Sequence, residues 1–193
     1  MIKIGIVGDI GAGKSFVARQ FGHPVFDADK EVAKIYKNDK KCFKQLKKKL
    51  PKHIFHFPIK KKELKAAVLK NKKNIKKIEK IIHPKVKKNM KKFIESNKKK
   101  KLLIFDIPLL LEKNNIKKNY ILIFVDAKQK DIKKRLKKRK GFDKKILNTL
   151  KKTQISLKIK KKKSDYSIKN DFNKLNLKKR VRILRKEILN KNK

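Results

Sequence analysis

Tryptophan is absent from this chain, cysteine occurs once and methionine twice, and only 6 glycines and 5 prolines punctuate its 193 residues. The lone Cys42 excludes an internal disulfide, and with no motif around it the residue reads as packing rather than as a nucleophile. Apolar stretches such as Tyr120 to Val125 fall well short of the roughly 20 residues needed to cross a bilayer, so no membrane partner is expected. The opening apolar run ends after Val7 in a Gly/Asp loop, which excludes a signal peptide and leaves a cytoplasmic protein as the reading.

Negative charge is also scarce. Sixteen acids face 63 basic residues, giving a formal charge of +47, and of those basic residues only Arg19, Arg135, Arg139, Arg180, Arg182 and Arg185 are arginine. Such a balance ordinarily suggests nucleic acid, because lysines that neutralise phosphates release counterions. Here the lysines run the whole length, with Lys47 to Lys49, Lys60 to Lys62, Lys98 to Lys101 and Lys160 to Lys163 in different predicted elements. These runs lack the interleaved aromatics of single-strand binding modules. With abundant asparagine and isoleucine, they read as lysine filling solvated positions under the codon bias of an AT-rich genome, and no specific nucleic-acid partner is expected. By the same logic, the few arginines, glycines, prolines and acids that remain are the constrained positions.

What is present is enough for one domain with a real core, since 38% of the chain is hydrophobic and the apolar residues cluster. Lys3 to Val7 reads as a strand that enters a Gly-rich turn and then a helical pattern through Phe16, Val17 and Phe21. Pro24 to Phe26 gives a second strand ending at Asp27-Ala28-Asp29, with a helix beginning near Lys30. To about residue 97 the spacing is helical, through Leu46 and Leu50, Leu64 and Val68, and Ile75, Ile78, Ile82 and Val86, interrupted at Pro51 and Pro58. His83-Pro84 reads as the close of a helical run. Leu102 to Phe105 and Tyr120 to Val125 are continuous apolar strands of the kind buried in parallel sheets. Helices at 129–138 and 143–154, a strand near Tyr166 to Ile168 and a helix from Asn173 complete the order. The alternation predicts a three-layer α/β fold on a mainly parallel five-stranded sheet, a monomer by default.

Within this order, Gly8-Asp9-Ile10-Gly11-Ala12-Gly13-Lys14-Ser15 satisfies the phosphate-loop pattern, with a strand before it and a helix after it. Its glycines let successive N–H groups turn inward, Lys14 would reach the β- and γ-phosphates of a nucleoside triphosphate, and the Ser15 hydroxyl would ligate Mg²⁺. Asp27 and Asp29 sit where a parallel sheet opens on its ligand crevice. Asp29 could orient a substrate hydroxyl as a base or simply cap the following helix, and the spacing favours neither. Asp106 and Asp126 each end a strand, and both suit the acid that faces the metal in such folds. His53 and His56 have no further clustered ligand and read as loop surface. Arg135 and Arg139 share one helix face before Gly141, as the arginines of a closing lid would.

Taken together, the sequence resembles the bacterial dephospho-CoA kinases, a P-loop kinase family, from Ile4 to about Asn170. The family's GGIGSGKS loop corresponds to Gly8 to Ser15, its DAD to Asp27-Ala28-Asp29, and its HP dipeptide to His83-Pro84. Its D-x-P-L-L-x-E stretch corresponds to Asp106 to Glu112, its R-L-x-x-R to Arg135 to Arg139, and its later Q, D and N to Gln154, Asp165 and Asn170. The resemblance implies ATP-dependent phosphorylation of the ribose 3′-hydroxyl of dephospho-CoA. It implies catalytic roles for Lys14, Asp29, Arg135 and Arg139, and nucleotide contacts from Gly8, Gly11, Ala12, Gly13, Lys14, Ser15 and Phe16. It further implies acceptor contacts from Asp29, His83, Asp106, Leu109 and Glu112, a helical acceptor-binding insert at about 30–97 and a lid at about 135–160. The chain departs from the family at Asp9, in place of a loop glycine, at Phe16, in place of threonine, and in a shortened link Phe21-Gly22-His23-Pro24. Lys61 and Leu150 stand where arginine is usual. These differences imply a slower or weaker enzyme with the same reaction. Another small-molecule or nucleotide kinase is the alternative within the class, and an RNA-binding P-loop protein is the alternative outside it.

Overall fold

The computed structural model describes residues 1–107, 120–138, 142–152 and 154–192. Leu109, Glu112 and Arg139, named above as site residues, lie outside the described residues, as do Pro108 and Gly141. The chain divides into two compact units, one of residues Met1–Asp27 and Asn97–Lys193, the other of Ala28–Ser96.

In the first unit, β1 (Ile2–Gly8), β2 (Val25–Asp27), β3 (Leu102–Asp106), β4 (Tyr120–Asp126) and β5 (Tyr166–Lys169) form a parallel sheet in the order β2-β3-β1-β4-β5. The fold class expected from the alternation of elements is therefore observed. Side chains alternate across the central strands as a two-residue period requires. Ile4, Ile6, Ile123 and Val125 face a core completed by Val17, Ala18 and Phe21 of α1 (Lys14–Gln20) and by Leu177, Val181, Leu184 and Ile188. Val7, Leu122 and Phe124 face the opposite layer with Ile155 and Leu157. Covering on both faces explains why β3 reads LLIFD with every residue buried.

The order of strands reverses at β1, which has β3 on one side and β4 on the other. Such a switch point opens a crevice at the carboxyl ends of the strands, and the loop after β1 lies there. Helices α6 (Gln129–Lys137), α7 (Lys144–Lys152), α8 (Leu157–Lys162) and α9 (Lys174–Lys191) follow the later strands. The expected helix at 143–154 ends at Lys152, and a separate α8 starts behind Ser156, whose hydroxyl accepts the Ile159 N–H. Asn173 caps α9, accepting from the N–H groups of Leu175 and Asn176. Lys160 corrects the reading of its run as solvated surface: it is 2% exposed, and its Nζ donates to Gln154 Oε1 at 2.8 Å.

The second unit holds α2 (Ala28–Asn38), α3 (Lys40–Lys49), α4 (Lys61–Lys70) and α5 (Lys73–Ser96). Its core gathers Ile35, Cys42, Leu46, Leu50, Ile54, Ile59, Ala67 and Ile82. Cys42 is fully buried there, and burial pushes its thiol up to about 11, so it packs. His83-Pro84 does not close a helix, contrary to expectation: α5 runs through it for 24 residues. Proline removes one N–H and crowds the preceding turn, which alone costs about 3 kcal/mol. Ile78, Ile81 and Ile82 before it and Val86 after it pack on the same core, and that shared apolar face carries the helix across the break.

Candidate active site

The phosphate loop is built by conformations only glycine adopts cheaply. Gly13 has φ 93°, and a Cβ placed on it would lie 2.4 Å from Asn170 Nδ2 and 3.5 Å from Arg135 Nη1. Gly8 has φ 146°, and a Cβ there would meet the Val125 carbonyl oxygen at 2.8 Å. Both positions therefore need glycine for backbone and for space. The turn closes with the Ala12 N–H donating to the Asp9 carbonyl at 3.2 Å, and Gly13 O accepts from Phe16 N and Val17 N as α1 begins.

Lys14 folds back over this loop, its Nζ donating to the carbonyls of Asp9 at 2.8 Å and Gly8 at 3.3 Å. Ser15 and Phe16 follow on the first turn of α1, both partly buried. Asn170 fastens the loop to the end of β5. Its Nδ2 donates to Ala12 O at 2.7 Å, its Oδ1 accepts the Phe172 N–H at 2.9 Å, and its own N–H donates to Asp126 O at 2.7 Å. It is 3% exposed, so each of these bonds is made away from water.

Asp9, the acid inside the loop, turns its carboxylate toward the helices. Oδ1 accepts the Ile10 N–H at 2.7 Å, while Oδ2 accepts from Gln129 Nε2 of α6 at 2.9 Å and faces Lys151 Nζ of α7 at 3.5 Å. Gln129 carried no signal in the sequence, since a glutamine at a helix start is unremarkable by composition.

Asp106 and Asp126 separate clearly in this structure. Asp106 is 5% exposed and stands in register with Asp27 of the neighbouring strand, so two carboxylates end adjacent strands of the sheet. The Asp126 side chain is 45% exposed and pairs with Lys161 at 2.9 Å. Asp29 differs from expectation in its local setting. The helix begins at Ala28 rather than near Lys30, so Asp29 occupies the first turn of α2 and not the cap position, with its side chain exposed. His83 lies within α5, in the same unit as Asp29. Lys61 opens α4 as an exposed residue, and Leu150 is 40% exposed on α7.

Arg135 of α6 reaches the loop region, with its guanidinium over the Phe172 ring at 5.2 Å. Phe16, Arg135, Asn170, Phe172 and Leu177 share the lining of a cavity of about 430 Å³, within the size range of small-ligand sites. The turn beneath it is fixed by Asp171. Burial disfavours its charge, but the Asn173 N–H, the Asn176 amide and the Arg180 guanidinium outweigh that and hold the carboxyl below the usual range. Arg180 lies 3.0 Å from Asp171 and also donates to Lys169 O, and Arg185 donates to Phe21 O at 3.0 Å. Three of the scarce arginines thus make specific contacts. Among the described residues no group of three or more His, Cys, Asp or Glu side chains could hold a metal, and no helix is long and apolar enough to span a membrane.

Comparison with known proteins adds four findings. A dephospho-CoA kinase of Wolbachia pipientis wMel is 35% identical over 176 residues, 89% of this chain and 90% of its own. The crystal structure of TT1252 from Thermus thermophilus superposes with a TM-score of 0.76 at 25% identity, over 98% of this chain and 97% of that one. The dephospho-CoA kinase from Campylobacter jejuni shares the fold, with a TM-score of 0.64 at 24% identity over 96% of each chain. The family model described as dephospho-CoA kinase matches residues 2–176, from the start of β1 into α9, and with that match the chain belongs to the dephospho-CoA kinase family.

Proposed function

We propose that this protein transfers the γ-phosphoryl group of ATP to the ribose 3′-hydroxyl of dephospho-CoA, giving CoA and ADP. The observation that carries the reading is the loop at the switch point of the sheet, with Lys14 folded over it and Asn170 bonded to its Ala12 carbonyl. Phosphoryl transfer asks mainly for positioning and for charge stabilisation. Loop N–H groups other than those of Ile10 and Ala12, which bond Asp9, cradle the phosphates, and Lys14 leaves the Asp9 and Gly8 carbonyls for the β- and γ-phosphate oxygens.

The segment at about 135–160 acts as a lid, with Arg135 and Arg139 delivering guanidinium groups to the transferring phosphoryl and excluding water. The helical segment at about 30–97, including His83, takes the acceptor. Asp29 accepts the proton of the attacking hydroxyl or orients it, and its exposed place on the first turn of α2 leaves the carboxylate accessible for that task. The Ser15 hydroxyl and the Asp106 carboxylate are hard oxygen donors of the kind Mg²⁺ selects, and they are the residues that would hold it. When bound, Mg²⁺ neutralises charge on the β- and γ-phosphates.

Purified protein with Mg²⁺-ATP should consume dephospho-CoA and release ADP, while AMP, CMP and shikimate stay unphosphorylated. Turnover of any of these three in preference to dephospho-CoA would move the chain to another small-molecule kinase class. Asp29→Asn should lose turnover and keep ATP affinity, whereas full activity in that variant would remove Asp29 from the chemistry.

A further inference from the structure

Lys160 is 2% exposed, while Lys161, Lys162 and Lys163 beside it face solvent. Leu157, one turn earlier on the same face of α8, packs against Val7, Leu122 and Phe124, so position 160 belongs to the layer that covers the sheet. An apolar residue would complete that layer without loss, whereas an ammonium group must give up its water there. The chain keeps the ammonium, and its Nζ donates to Gln154 Oε1 at 2.8 Å.

That bond fixes the sense of the Gln154 amide. An ammonium has three donors and no acceptor, so the amide oxygen must face Lys160 and the amide nitrogen must face away. The nitrogen has no hydrogen-bond partner among the described residues, and Gln154 is partly exposed. The backbone around it is held as well, with the Gln154 N–H donating to Lys151 O at 3.1 Å and Ser156 capping α8. Ile155 packs on the cluster that contains Val7, the residue before the phosphate loop, and so does Ile107, the residue after Asp106. Leu157 lines a second cavity, of about 270 Å³, together with Asp9 of the loop. The link between α7 and α8 therefore lies beside the carboxyl ends of β1 and β3, where the crevice opens.

Two N–H donors aimed one way at that crevice suit an oxygen anion, and the anions that the reaction brings there are phosphates. We propose that Gln154 is a further catalytic residue, whose amide N–H groups donate to the oxygens of the phosphoryl group in transfer, and that buried Lys160 is the positioning residue that holds the amide in that sense. Charge spreads over those oxygens during transfer, and donors fixed beforehand stabilise it without reorganising. A glutamine left free offers its oxygen as readily as its nitrogen, and an oxygen there would repel the phosphoryl group. Lys160 removes that choice. The proposal rests on the kinase reading and deepens it by adding a donor to the transferring group.

Gln154→Glu keeps an oxygen for Lys160 and should melt at or above the temperature of the parent, but it puts a second oxygen where the donors stood. Its kcat for dephospho-CoA phosphorylation should fall about 10²-fold, while the KM for ATP moves by less than about three-fold. Lys160→Met frees the amide and should lower kcat about ten-fold. In the Gln154→Glu background the same change should have no further effect on kcat, because Lys160 acts only through Gln154. A lower melting temperature with kcat unchanged in Lys160→Met would overturn the positioning role. In Gln154→Glu, a kcat within about three-fold of the parent, or a loss confined to the KM for dephospho-CoA, would overturn this proposal alone, and that variant decides it even if Lys160→Met does not fold. A parent chain that leaves dephospho-CoA unphosphorylated would overturn the kinase reading and this proposal with it.

Discussion

The two compact units differ in composition as sharply as in architecture. All 6 glycines and all six arginines lie in the unit of residues 1–27 and 97–193, and residues 28–96 contain neither. The helical unit needs only periodic apolar residues and a solvated face, and lysine, a good helix former with a long apolar stem, supplies the second anywhere. The sheet unit must hold irregular backbone around an anion, which takes glycine at Gly8 and Gly13, and it uses flat forked donors at Arg135, Arg180 and Arg185. Arginine stands where a flat fork meets a ring, a carboxylate or a carbonyl, at Arg135, Arg180 and Arg185.

That contrast can be broken from either side. Lys14→Ala takes away the lysine placed on the phosphate loop and should cut phosphoryl transfer by about 10²- to 10³-fold, read in steady-state assays, with little change in melting temperature. Activity within a few-fold of the parent would make Lys14 another surface lysine. Gly13→Ala forces a Cβ against Asn170 Nδ2 and holds an L residue at φ 93°, so it should cost about 1–3 kcal/mol in denaturant unfolding and weaken ATP binding.

In the helical unit the comparable device is Asp39, which caps α3 through the Cys42 N–H at 2.7 Å and pairs with Lys85 of α5 at 2.6 Å. Asp39→Ala should cost about 1 kcal/mol, measured as a lower denaturation midpoint. Burial raises the Asp39 carboxyl, but the bonds from Lys85 and Cys42 outweigh it and leave the pKa below the ordinary value. The stabilisation is thus complete above the unfolded-state pKa and is lost as pH falls through the lower folded one. In Asp39→Ala that acid-side loss should shrink. The smallest effect is expected at Asp9→Asn, which keeps an acceptor for Gln129 but drops the charge facing the partly exposed Lys151, and the KM for ATP should move by less than about three-fold. A larger change would mean that the acid governs nucleotide binding.

The same contrast decides what could be read in advance. Buried parallel strands announce themselves as unbroken apolar runs, so β3, β4 and the loop after β1 were legible from residues such as Leu102 to Phe105. Pro84 misled because the local rule against proline within helices is real, while the apolar face that overrides it is a property of packing. Lys160 was hidden among its neighbours, since lysine is so common here that one buried copy bears no mark. Phe172 was invisible for the opposite reason: a single aromatic in a polar turn follows no period, and its φ is known only once the backbone is traced. The direction of the Asp9 carboxylate likewise depended on Gln129 and Lys151, partners more than a hundred residues distant.

Asn170 lends its one amide to two clients, the Ala12 carbonyl and the Phe172 N–H. Lengthening or shortening the turn after β5 would therefore reach the loop after β1 without touching any of its residues. Grafting a different turn there would have to carry that asparagine and its spacing along, since one side chain serves both the cradle and the turn.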